Sequence, residues 1–120
     1  MRHILLAVTL AAMVLPAGAH DSTGPNGGQM TDAGNLHVEV VTRAETVQVF
    51  LGDGAGKPLS TVGYKGLAIL LVGGKVARIP LQPEGTNRLT GVAVAPFAAP
   101  IKGAIQITGP DGATVQASFK

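Results

Sequence analysis

The stretch "NLHVEVV", residues 35–41, decides the fold class. Leu36, Val38 and Val40 fall on one side of an extended chain, and His37 and Glu39 on the other. Side chains of a β-strand alternate between faces, so this pattern predicts a strand with one buried face. The same two-residue period returns downstream. In "TVQVFL" (46–51), Val47, Val49 and Leu51 alternate with Gln48 and Phe50. "KVARIPL" (75–81) groups Ala77, Ile79 and Leu81, with Arg78 opposite. "GAIQIT" and "TVQASF" turn Ile105, Ile107, Val115, Ala117 and Phe119 to one side. "LAILLV" (67–72) is apolar throughout and predicts a strand buried on both faces.

Between these runs lie "GDGAGKP", "VGGK", "PEGTN" and "GPDGAT", whose Gly and Asn residues suit tight turns. No window after residue 19 combines a helical period with caps. About seven short strands at this spacing predict an all-β fold, an antiparallel β-sandwich of immunoglobulin-like kind over residues 35–120. A small open barrel is the second architecture. Pro58, Pro80, Pro83, Pro96 and Pro100 are expected at strand ends or edges, because proline cannot donate to a ladder. Residues 20–34, rich in Gly, Asp, Ser, Thr and Asn, read as an exposed, flexible arm.

The first nineteen residues have the layout of a secretory signal peptide. A positive start at Arg2 and His3 precedes an apolar run from Ile4 to Leu15 and an Ala17-Gly18-Ala19 end. The run is too short for a membrane span, which takes about 20 residues. Cleavage before His20 would release the chain to a bacterial periplasm, with no cysteine to carry a lipid anchor and no membrane insertion afterwards. Loss of Arg2 leaves eight basic against seven acidic residues, scattered singly. A nucleic-acid partner needs a basic cluster, which is missing. The absence of cysteine excludes thiolate metal sites and thiol catalysis.

Enzyme signatures are also absent. "GDGAGKP" has a Gly-Lys pair, but Pro58 follows where a phosphate loop carries a hydroxyl, and no helix comes after it. There is no nucleophile elbow and no His-Glu-x-x-His helix, so the expectation is a protein without catalysis.

One constellation remains. With its amine freed by cleavage, His20 could hold a metal ion through that amine and its ring, and His37 could add a second imidazole. Planar nitrogen sites of this kind suit copper above other divalent ions. Glu39 shares a strand face with His37 and could serve as a third ligand or orient the imidazole. Met30 and Asp21 are further candidates, Met30 for a cuprous ion. The metal candidates are therefore His20, His37 and Glu39.

"PNGGQM", "GNLHVEVV", "VFLGDGAGKPLS", "LVGGK", "NRLTG" and "GPDGATVQASF" together resemble small periplasmic proteins and domains that accompany heavy-metal efflux systems of the resistance-nodulation-division type. The likeness spans nearly all of the chain after the signal segment. It implies metal handling in the periplasm, with an efflux adaptor protein as partner. The His-x-Glu strand matches at His37 and Glu39. The family commonly has a histidine between the proline and the glycine pair, where this chain has Asn26. The expectation is a periplasmic protein that buffers a metal ion, copper favoured, or delivers it to an efflux system. The alternative is an interaction module that binds another envelope protein without metal.

Overall fold

The computed structural model describes residues 22–120, and these form an all-β, antiparallel fold. The signal segment 1–19 and His20 lie outside the described residues. Nine strands follow in order: β1 (Ser22–Thr23), β2 (Gln29–Ala33), β3 (Leu36–Arg43), β4 (Thr46–Gly52), β5 (Lys65–Val72), β6 (Lys75–Glu84), β7 (Arg88–Val92), β8 (Gly103–Thr108) and β9 (Thr114–Phe119). They make one sheet in the order β1-β2-β3-β4-β7-β6-β5-β8-β9, curled into a half-barrel in which β2 comes close to β9.

The connections follow from loop lengths. Short turns join β2 to β3, β3 to β4, β5 to β6, β6 to β7 and β8 to β9, so each pair is an antiparallel hairpin. Two longer connections, from β4 to β5 and from β7 to β8, make the crossings. β7 returns to lie beside β4, and β8 lies beside β5. The chain thus holds two overlapping Greek keys, β4–β7 and β5–β8. Thr61, fully buried, ties the first crossing down. Its N–H donates to Thr86 O at 2.9 Å and its hydroxyl to Arg88 O at 3.0 Å.

The period-two faces predict the core well. Val38, Val40, Val47, Val49, Leu51, Ile79, Leu81, Ile105, Ile107, Ala117 and Phe119 are all buried inside the curl, while Leu36, Ala77 and Val115 of the same faces are half-buried against it. β5 departs from expectation. Ala68, Leu70 and Val72 are in the core, whereas Leu67 and Ile69 are half-buried and Leu71 is exposed. Its apolar run is therefore buried on one face only, because among the described residues no second layer lies outside the curled sheet. Pro80 and Arg78, the cross-strand neighbours of Leu67 and Ile69, flank that outer row.

Two further expectations need correction. Residues 29–33 of the expected arm form β2, fully paired with β3, because the Gly34–Asn35 turn folds them onto their neighbour. With β1, this raises the strand count above seven. Pro80 and Pro83 lie within β6, a strand interior to the sheet order. The tolerance has a local cause. β6 pairs with β5 through residues 75–81 and with β7 through residues 82–84, so each half is hydrogen-bonded on one side only.

The β3–β4 turn carries a left-handed residue with a side chain, Ala44 at φ 49°. A Cβ in this region costs about 1–2 kcal/mol, and glycine avoids that cost while adding some backbone entropy to the unfolded chain. Replacing Ala44 by glycine should therefore raise stability by about 0.5–1 kcal/mol. An increased urea midpoint at unchanged slope would confirm this. A decrease would show that Ala44 is not strained.

Candidate functional site

The outer face of β2–β3–β4 brings the candidate side chains into two rows. Met30, Glu39 and Phe50 are cross-strand neighbours in one row, and Asp32, His37 and Gly52 in the next. This follows from two short hairpins. The Gly34–Asn35 turn places Asp32 opposite His37, and the Ala44–Glu45 turn places Glu39 opposite Phe50. Above these rows lies a cavity of about 250 Å³, lined by Pro25, Met30, His37, Phe50, Leu51 and Pro58 among others.

His37 is held at one nitrogen. Its Nδ1 is 2.6 Å from Asp32 Oδ1, with the imidazole about one-third exposed. Its Nε2 lies 3.4 Å from Gly54 O, at the outer limit of a hydrogen bond. A carboxylate partner on one ring nitrogen fixes ring orientation and leaves the other nitrogen to a ligand. Asp32 is a contact that composition did not reveal. Its signal is the two-residue spacing around Gly34–Asn35, which sets residues 32 and 37 opposite each other.

Glu39 has a different role. It is 2% exposed although it sits on the outer face, because the turn Gly24–Gly28 folds over it. Asn26 N donates to both carboxylate oxygens, at 2.9 and 3.2 Å. Asn26 Nδ2 donates to Oε1 at 2.8 Å, and Gly28 N to Oε2 at 2.8 Å. Bonds to a carboxylate are stronger than neutral ones, and these satisfy an oxygen pair otherwise cut off from water. The close fit also explains the glycines. A methyl group on Gly24 would strike the Glu39 carboxylate, and one on Gly28 would strike the backbone of Val40. Asn26 therefore acts as the donor that clamps Glu39.

The "GDGAGKP" loop is closed by its own aspartate. Asp53 Oδ1 accepts from Ala55 N and Lys57 N, both at 2.9 Å. Asp53 N donates to Lys57 O at 2.8 Å. Those two amides are thus already engaged and not free to cradle a phosphate. The loop's contribution is to bring Gly54 O up to His37.

His20 lies outside the described residues. The described chain begins beside the site, since Ser22 pairs with Met30. Among the described residues, no group of three or more His, Asp or Glu side chains is placed to hold a metal ion. His37 and Glu39 both line the cavity, but only His37 presents a nitrogen not committed to a short bond.

The clamp at Glu39 gives a sharp expectation. In Glu39→Gln, one carboxylate acceptor becomes an NH₂ donor facing backbone N–H groups. This should destabilise the protein by about 2–3 kcal/mol. Amide exchange at Asn26 and Gly28 should rise well before that at Val49 or Ile105. Unchanged exchange at Asn26 and Gly28 would mean that the turn is held by something else. Searches of protein-family models, curated proteins and solved structures find no match for this chain.

Proposed function

We propose that this protein binds a metal ion in the periplasm, copper favoured, and buffers it or delivers it to an efflux system. The observation that carries the reading is the Asp32–His37 pair, which fixes the imidazole by Nδ1 and leaves Nε2 beside a cavity that also contains Met30. His20 would supply its amine and ring from two residues before Ser22, which is paired across from Met30. Glu39, held by Asn26 and Gly28, would act on the site by fixing the covering turn; as a direct ligand it would have to release those bonds. An imidazole with a carboxylate behind it is a more basic ligand, and imidazole with thioether suits copper in either oxidation state. A site of few ligands, open on one side, exchanges its ion readily, as delivery requires. The reading includes no catalytic step.

The second reading is an interaction module that docks another envelope protein without metal. For the architecture, an immunoglobulin-like sandwich remains our finer reading of the curled sheet, supported by the two Greek keys common in that class.

The test is a Cu(II) and Zn(II) titration of protein beginning at His20, beside a form with one added Ala before His20 and a His37→Ala variant. Binding of one ion, weakened about tenfold or more in both altered forms, is the expected result. Asp32→Asn should weaken binding less, by about tenfold at most, through loss of the orienting bond. Equal weak binding by every form would overturn the metal reading and favour the module.

A further inference from the structure

The end of the half-barrel away from the Asp32–His37 pair carries four of the five large aliphatic side chains that are exposed among the described residues. It is built from the Ala44–Glu45 turn, the Gly73–Gly74 turn and the β7–β8 connection, residues 93–102. Three backbone bonds join these pieces. Ala93 N donates to Glu45 O at 2.8 Å, Phe97 N to Ala44 O at 2.9 Å, and Leu71 N to Lys102 O at 3.0 Å. On this platform Val94 is 99% exposed, Val92 70%, Val76 68% and Leu71 43%. Among the described residues, of the large aliphatics exposed to this degree, only Val62 lies elsewhere, before the start of β5.

This end also carries an excess of cations. Arg43, Lys75, Lys102 and Lys120 are at this end, all exposed, and none forms an ion pair among the described residues. Among the described residues, Glu45 is the one acidic residue beside them. At the opposite ends of the strands or in the turns beyond them, Asp32, Asp53, Glu84 and Asp111 stand with Lys57, Lys65 and Arg88, so that end is close to neutral.

We propose that this end docks peripherally on an anionic phospholipid surface. Two terms act together. Cations near such a surface are attracted by its negative potential, and projecting aliphatic side chains gain by entering the headgroup–acyl boundary. The shape favours lipid over a protein partner. Leu71 and Val76 are cross-strand neighbours at the ends of β5 and β6, Val92 ends β7 and Val94 follows it, and the one aromatic side chain on the β7–β8 connection, Phe97, is packed against the core. Protein interfaces take most of their binding energy from buried aromatic and arginine anchors, whereas the cations here are three lysines with a single arginine, Arg43. Such an end does in tertiary structure what a basic amphipathic helix does in sequence. Contact is at the surface only, since among the described residues no helix is long and apolar enough to cross a membrane.

The test is co-sedimentation of the full chain with phosphatidylcholine vesicles, with and without phosphatidylglycerol. Two double variants are compared with the parent, Lys75→Glu with Lys102→Glu and Val76→Ser with Val94→Ser. Parent and variants share every residue before Ser22, so a difference between them arises at the substituted positions. All four positions are exposed, and thermal unfolding checks that the fold is kept. The expected result is sedimentation with the anionic vesicles alone, weakened by raised salt and about tenfold or more by the charge reversal. The serine pair should weaken it as well. Equal binding by parent and variants, or equal binding to both vesicle types, would overturn the proposal. So would self-association without vesicle binding, lost in the same variants, since the surface would then be a contact between copies. Metal binding at His37 is read separately, so failure of one proposal leaves the other standing.

Discussion

A sheet with one apolar face and no helix to cover it has to cover that face with itself. Everything else in the structure depends on this constraint. The strands put Val, Ile and Leu on one side at every second residue, and the described chain offers no other layer to receive them. Curling brings β2 towards β9 and encloses the core. The crossings from β4 to β5 and from β7 to β8 let distant strands share that interior, and β6 changes partner midway to follow the bend. Proline within β6 becomes tolerable where each half of the strand lacks one neighbour.

The same constraint leaves the outer face open to chemistry. Polar residues between the core positions point outward, so His37, Glu39 and Asp32 arrive there as a consequence of strand alternation and hairpin register. What distinguishes Glu39 is the cover supplied by Gly24–Gly28. That turn converts an outward carboxylate into a buried one and supplies three N–H groups to satisfy it. The covering turn also forms one wall of the cavity beside His37, so stability and the candidate site share residues. His37, by contrast, keeps one nitrogen uncommitted to any short bond. The two residues stand two positions apart on one strand and do different work.

Local sequence determined six of the nine strands, most turns and much of the core, but not β1, β2 or β7 with its buried Leu89. Alternation over "NLHVEVV" and "TVQVFL" is a short-range signal, and burial on one face follows from it directly. Alternation also placed His37 and Glu39 on one face. The carboxylate behind His37 was legible in principle, since a two-residue turn at Gly34–Asn35 sets Asp32 across from it.

Only the tertiary structure decided the remainder. Whether "LAILLV" is buried on one face or two depends on what lies outside the sheet, which no window of sequence contains. Residues 29–33 look like part of a flexible arm by composition, yet they pair with β3, because ladder bonds and core contacts outweigh weak local propensity. The donors to Glu39 come from residues eleven and thirteen positions away, a distance over which periodicity carries no information. The gathering of Leu71, Val76, Val92 and Val94 with four cations at one end likewise arises from the chain crossings. The sequence settled which side of each strand is apolar, and the fold settled which of those strands meet.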